Sequence, residues 1–388
     1  MKIIKNIIRE IFIILGMTYY KLHKFELKSD YIFFFPDYNL GGAEKVHADI
    51  IYLVKHKNPI IIFYYNSING VLFQEFKNLG QIIDLGRLNR FNYYIKLGEI
   101  INSLRHKNKG IIFGSNNTFY YEIVRRINNL NLKYFDITHN QSFSKLKKDD
   151  YTFIGNIFHK RIFIDPKSLQ DTKIIYSQLP NNDFVSRTKL INNKVYIPDK
   201  LDKIFNDTMK ICYAGRGDKE KRLYLWFEIA KRIVEINSNI EFYMIGNCLS
   251  INEQNEMKFI NYLGIINDRI KLSEIFTKMH LFLLTSESEG FPLSIMESMA
   301  FGVIPITTSV GGIPYHIIHN TTGQIISGKT DKEIINNAIK FILLLEHDRN
   351  KLEQLSKNVA AYAKLNFSET IFDKEYNNIL LRPNNFNS

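Results

Sequence analysis

The chain has 388 residues, of which 45% are hydrophobic and 23% charged; that balance supplies full apolar cores, and at about 100 to 200 residues per domain the length points to two domains. Two cysteines, Cys212 and Cys248, exclude a disulfide framework and a four-cysteine zinc site, and they fit a reduced, cytoplasmic compartment. The net charge of +12 is uneven, with 30 basic and 17 acidic residues in 1–200 against 21 and 22 in 201–388. A uniformly basic chain would suggest nucleic acid, whereas a basic half beside a neutral half suggests that one domain faces an anionic surface.

Residues 1–27 place Ile3, Ile4, Ile7, Ile8, Ile11, Phe12 and Leu15 at helical spacing, with Lys2, Lys5, Asn6, Arg9 and Glu10 opposite. The uninterrupted apolar run, Ile11 to Met17, is far shorter than the roughly 20 residues that cross a bilayer. The helix therefore either lies on a membrane surface or packs against the first domain.

From Tyr31, short apolar runs alternate with longer mixed segments. YIFFF (31–35), IIIFYY (60–65), IIFG (111–114), KYFDIT (133–138), RIFI (161–164) and KVYI (194–197) read as strands of a βαβ series. Pro198 and the polar DKLDKIFNDT suggest a linker, after which MKICYAG (209–215), EFYMIG (241–246), LFLLTS (281–286), VIPITT (303–308) and GQIIS (323–327) form a second series. The expected architecture is α/β, with Rossmann-like domains over 28–203 and 204–365 and ligands bound in the cleft outside the carboxyl ends of the strands.

The most informative stretch is TSESEGFPLSIMESMAFGVIPITT, 285–308. A strand ends near Ser286, and Glu289, Gly290, Phe291, Pro292 and Leu293 then lead into a helix carrying Glu297. Unpaired N–H groups at that helix start suit an anion, and Gly290 admits close backbone approach. If the helix began at once, Glu289 and Glu297 would share one face about two turns apart, as acceptors for the hydroxyl pairs of a sugar and a ribose. AGRGDKEKR, 214–222, follows the first strand of the second series and offers Arg216 and Lys221 to a diphosphate. PDYNLGGAEKVHADI, 36–50, puts Gly41 and Gly42 at a helix start, and ITHNQS puts His139 after the strand KYFDIT.

In these motifs the chain resembles the retaining glycosyltransferases of family 4, in which E-x7-E follows the same strand. EGFPLSIMESMAFG, VIPITT and the VGGIP of 310–314 agree with that family in order. The resemblance implies the GT-B fold, two Rossmann-like domains facing each other across a cleft, with a last helix, 366–388, packing back on the first domain. It also implies that Glu289 contacts the donor sugar and Glu297 the ribose, and that Arg216 and Lys221, beside Gly215, bind the donor pyrophosphate. His139 would contact the reacting sugar, the Gly41–Gly42 loop would lie at the donor, and main chain near Gly246 and Leu263 would hold base and ribose. Arg222 departs from the family, which usually has Gly there.

The function so implied is metal-independent transfer of a hexosyl or N-acetylhexosaminyl group. Its donor is a nucleotide diphosphate sugar as co-substrate, with no cofactor. The acceptor is a glycan, free or lipid-linked, at the inner face of the cytoplasmic membrane, in surface polysaccharide or lipopolysaccharide assembly. No Asp-x-Asp occurs to hold a divalent ion. A nucleotide-sugar epimerase of the same fold and a catalytically dead membrane-surface adapter are the alternatives. GQIISGKT, 323–330, satisfies the Walker A pattern, but polar residues precede Gly323 and Ile325 and Ile326 fill the would-be loop as a strand. G-x-G-x-x-G is likewise incomplete at GRGDKE, 215–220, which argues against a dinucleotide oxidoreductase.

Overall fold

A computed structural model describes the chain except for residues 1, 24, 40, 69, 140–147, 181, 206, 250–256 and 382–388. It divides into two units, residues 1–191 with 373–388, and residues 192–372.

The first unit is built on a parallel sheet of seven strands: β1 Tyr31–Phe35, β2 Ile60–Phe63, β3 Gln81–Asp84, β4 Gly110–Ser115, β5 Leu132–Thr138, β6 Phe158–Phe163 and β7 Thr188–Leu190. Their order is β3-β2-β1-β4-β5-β6-β7. The helices are α1 Lys2–His23, α2 Gly42–Tyr52, α3 Phe73–Leu79, α4 Arg90–Arg105, α5 Thr118–Ile127, α6 Lys148–Ile157 and α7 Pro166–Ser177. Central strands of such a sheet are covered on both faces, which is why β1, β2 and β4 are nearly continuous apolar runs. Crossing from β5 to β6, Asp136 and Arg161 are fully buried with Nη2 to Oδ2 at 3.0 Å, and the guanidinium also donates to the hydroxyls of Tyr121 and Tyr176.

The second unit repeats the plan with six parallel strands in the order β10-β9-β8-β11-β12-β13. They are β8 Met209–Ala214, β9 Ile240–Ile245, β10 Ile260–Gly264, β11 Leu281–Leu284, β12 Ile304–Thr308 and β13 Gln324–Ile326. Helices α8 Leu223–Ile236, α9 Arg269–Lys278, α10 Leu293–Ala300, α11 Ile313–His316, α12 Asp331–His347 and α13 Arg349–Phe367 connect and cover them. The last helix, α14 Glu369–Leu381, starts in the second unit and ends in the first. There Tyr376 lies beside Phe113 with ring centroids 6.5 Å apart. The rest of the 366–388 segment expected to pack on the first domain, 382–388, lies outside the described residues.

Some expectations are corrected. KVYI, 194–197, joins no sheet; its Val195 N–H donates to Phe367 O inside the second unit, and β7 takes the edge position instead. The first unit accordingly ends at Ile191, ahead of the polar linker placed near Pro198, and the return crossing comes at Asp373. The stretch around Leu263 is the end of strand β10.

Helix α1 makes the contact with the first unit that the sequence left as one of two alternatives, though through the polar side of its pattern. It packs along α4 with the side that bears Ile13, Gly16 and Met17, and two glycines bring the backbones together: a Cβ on Gly16 would lie 2.0 Å from Ile95 O, and one on Gly98 would lie 2.1 Å from Ile13 O. Arg9, on the polar side of the sequence pattern, is turned inward and pairs with Glu122, and Arg126 grips Glu10 at 2.7 and 2.9 Å. The apolar side points outward. Ile7, Ile11, Ile14 and Leu15 are 53, 50, 60 and 49% exposed.

Within the would-be Walker loop, β13 occupies 324–326 and Thr330 caps α12, its hydroxyl accepting from Glu333 N–H while the Glu333 carboxylate accepts from Thr330 N–H. A strand and a capping box leave no phosphate-binding loop there.

Candidate active site

In the second unit the loops after β8, β9, β10 and β11 emerge at the carboxyl ends of adjacent strands, where an open α/β sheet offers its binding crevice. Gly215 N–H donates to Ile245 O and Gly246 N–H to Gly264 O, at 3.0 and 2.7 Å. Gly246 has φ 111°, and a Cβ there would stand 2.1 Å from Gly215 O, so only glycine lets the two loops touch. Tyr262 adds a hydroxyl bond to Gly246 O, and neighbouring Leu263 is 40% exposed. Gly215, Gly246 and Leu263 thus come together as one backbone-lined surface.

The loop after β8 is stitched to the loop after β11. The buried Thr285 hydroxyl lies 3.1 Å from both Lys221 O and Arg222 O, the Arg222 guanidinium donates to Thr285 O and Ser286 O, and Glu287 N–H donates to Glu220 O. These bonds carry Lys221 to Glu289, with Nζ 2.8 Å from Oε1, and Ser286 Oγ donates to the same oxygen at 2.7 Å. Lys221 and Glu289 keep only 15 and 9% of their side-chain surface. Arg222 is left-handed, φ 46° and ψ 50°, so the turn that glycine usually makes in the family resembled is kept here by an arginine held through two carbonyls.

The VGGIP loop braces this turn from the other side. Gly312 N–H donates to Gly290 O at 2.8 Å, and Gly311, at φ 53°, sits so close that a Cβ would come 1.7 Å from Glu289 O. The helix after the turn begins only at Leu293, with Pro292 as its N-cap. Glu289 therefore stands in the turn, off the α10 face that bears Glu297, and the expected stacking of two acids on one face is not formed. The Phe291 ring is buried, its centroid 4.3 Å from that of His316 and 5.6 Å from that of Phe367, which leaves its main chain for any ligand. Leu293 packs against the core. Arg216 is 73% exposed and pairs with Asp218 at 3.0 Å.

In the first unit, Gly41 is the N-cap of α2 and Gly42 its first residue. One and a half turns further, His47 lies buried, its ring stacked on Phe35 at 3.8 Å. Its Nε2 is 2.9 Å from Nε2 of His139, so one imidazole donates and the other accepts. Burial holds both in the neutral form, His139 with its pKa down to about 4 and His47 well below the usual value, where His139 opposes its charge further. The sequence reading singled out His139 but missed His47, and it missed Ser286 as a partner of Glu289. The residues after His139 in ITHNQS, 140–142, lie outside the described residues. Among the described residues no three His, Cys, Asp or Glu side chains gather in a way that could hold a metal ion.

Residues 200–361 match the family model of glycosyl transferases group 1. Among similar proteins, the capsular polysaccharide biosynthesis glycosyltransferase CapM of Staphylococcus aureus is 28% identical over 195 residues, 48% of this chain and 49% of the relative. The UDP-Gal:alpha-D-GlcNAc-diphosphoundecaprenol alpha-1,3-galactosyltransferase of Escherichia coli is 24% identical over 206 residues, 51% of this chain and 50% of that one. The chain thus spans about half the length of these curated relatives. Among solved structures, Anabaena Alr3699/HepE in complex with UDP-glucose superposes with a TM-score of 0.68 at 13% identity, covering 90% of this chain and 99% of the other. The pneumococcal O-GlcNAc transferase GtfA in complex with UDP and GlcNAc gives 0.69 at 12%, covering 92 and 99%. The chain thus has two parallel α/β units of the GT-B kind, and the motifs of its second unit lie inside residues 200–361, the region that is similar to the glycosyl transferases group 1 family.

Proposed function

We propose that the protein is a retaining, metal-independent glycosyltransferase that moves a sugar from a nucleotide diphosphate sugar to a lipid-linked glycan in surface polysaccharide assembly, working peripherally at the inner face of the cytoplasmic membrane. The observation that carries this reading is the Lys221–Glu289–Ser286 cluster, fixed by a two-loop lattice at the carboxyl ends of β8 and β11. A lysine paired to a carboxylate at such a crevice is a cation held ready: donor phosphate can take over part of its charge while Glu289 turns to sugar hydroxyls.

In this mechanism the second unit binds the donor. Main chain at Gly215 and Gly246 admits the nucleotide closely, and Arg216, exposed and paired with a neighbouring aspartate, swings to the diphosphate. Lys221 and the backbone of the Gly290 turn stabilise the negative charge that grows on the departing phosphate oxygen as the glycosidic bond breaks. Glu297 accepts from the ribose. The acceptor hydroxyl attacks from the face that the leaving group vacates, and the leaving phosphate oxygen takes its proton. His139, neutral and held by His47, contributes a hydrogen bond to the sugar. Relatives named for capsular polysaccharide and for diphosphoundecaprenol-linked acceptors support the substrate class.

The first experiment is thermal shift of the purified chain with UDP, GDP and ADP and their sugars in EDTA, because a ligand that binds only the folded state raises the melting temperature. Stabilisation by one base supports the site and fixes the donor; no shift with any of them removes it. Product analysis with and without acceptor then separates transfer from epimerisation, which would change the sugar with no acceptor present.

A further inference from the structure

An amphipathic helix on a water-soluble domain turns its apolar stripe to the core and its polar stripe to water. Helix α1 does the reverse. Its inner side is fastened by Ile13, by the backbone contacts at Gly16 and Gly98, and by ion pairs that turn Arg9 and Glu10 toward Glu122 and Arg126. Those are the charged residues between Ile7 and Tyr19, so the opposite side is a charge-free stripe of Ile7, Ile11, Ile14 and Leu15. The stripe continues onto the start of α4: Phe12 meets Phe91 with ring centroids 4.7 Å apart, and Phe91 and Leu88 are 53 and 38% exposed.

We propose that this stripe is a membrane-docking surface, laid flat in the headgroup and acyl boundary of an anionic bilayer. Three observations select the lipid surface as occupant. The stripe is about 20 Å long, from Ile7 to Tyr19 at 1.5 Å per residue, and is one side chain deep, a shape that fits interfacial burial. Its few side chains fall far short of the roughly 20 to 30 residues a side of a stable protein interface, which argues against a second copy. Lys5 on α1 and Arg90 at the start of α4 are exposed, and residues 1–200 carry the chain's whole positive excess, which complements anionic headgroups. Among the described residues no helix is long and apolar enough to cross the membrane, so the contact lies on the surface and does not span. The inward ion pairs and glycine contacts fix α1 to the unit, so docking the helix docks the domain. The assignment deepens the reading of a lipid-linked acceptor and rests on it for its purpose, but its test does not.

The full chain is to be sedimented with vesicles of phosphatidylcholine alone and with phosphatidylglycerol, beside the neutral double variant Ile11→Gln/Ile14→Gln. Both replaced side chains are outward and loosely packed, so the melting temperature should hold while vesicle partitioning falls at least tenfold. The wild type should prefer the anionic vesicles. Ile11→Trp provides a local probe: brominated acyl chains should quench the emission of the introduced indole while leaving Trp226, buried in the second unit, unaffected. Equal partitioning of the double variant, no binding of the wild type to either vesicle, or unquenched emission from the introduced indole overturns the proposal. A wild-type dimer in light scattering that the double variant abolishes assigns the stripe to a second copy instead. Thermal shift with nucleoside diphosphates in the same samples tests the transferase reading separately, because vesicle docking stands or falls whether or not a nucleotide binds.

Discussion

Lys221 and Glu289 form a nearly buried ion pair, and such pairs add little net stability because both charges lose water on folding. In the proposed mechanism the pair serves an incoming diphosphate. Lys221→Ala and Glu289→Ala should each cut turnover about a hundredfold, comparable to the loss of one donor to a transition-state oxyanion; near-normal rates in both would remove the site assignment. The histidine pair makes a different prediction. His139 has its pKa lowered to about 4 against roughly 6.5 in the unfolded chain. Its contribution is therefore complete above the unfolded value and is lost as pH falls from about 6.5 to 4, where the unfolded state binds more protons. The melting temperature should fall more steeply across that range in the wild type than in His139→Asn; identical profiles would mean that His139 takes no protons on unfolding in this window. Lys221 and Glu289 were legible because each stands in a local motif, whereas His47 was not, since its partner is 92 residues away and nothing in VHADI marks it.

At the scale of elements, the turn of the candidate site is held by two backbone devices. Arg222 sits in the left-handed region at roughly 1 kcal/mol or more of strain, offset by its bonds to Thr285 O and Ser286 O. Arg222→Ala keeps the strain and loses the bonds, so it should cost about 1–2 kcal/mol in urea titration, while Arg222→Gly removes both and should cost less. The reverse order would show that the left-handed backbone at 222 holds no strain that glycine relieves. Gly311→Ala forces a methyl into Glu289 O at a left-handed φ, so kcat/KM should fall tenfold or more and the melting temperature should fall with it. The strands that the sequence hid are edges. β3 and β10 show half-exposed patterns, so they lack the apolar run that gives away a strand buried on both faces. The helix after Gly290 starts later than expected because Pro292 stands as its N-cap, with Leu293 as its first residue.

For the whole molecule, the asymmetry of charge gains a location: the basic half is the half that carries α1 with its apolar stripe outward. The proposed neutralisation of donor charge by lysine and arginine has a consequence for the whole enzyme. Chelation with EDTA should leave transfer unchanged at saturating donor, and a loss restored by a divalent ion would replace the proposed mechanism with a metal-assisted one.

Two doubly wound parallel sheets, and the identity of the loop that holds Glu289, were determined by sequence alone. Alternation of buried apolar runs with amphipathic segments is a local signal, and so is a motif at fixed spacing. The orientation of α1 was not. The sequence shows one apolar and one polar side, and periodicity expects the apolar side to be buried, but Gly16 against Gly98 and Glu122 opposite Arg9 turned the helix the other way. Which face is buried depends on contacts between residues about a hundred positions apart, and these exist only once the tertiary structure has formed.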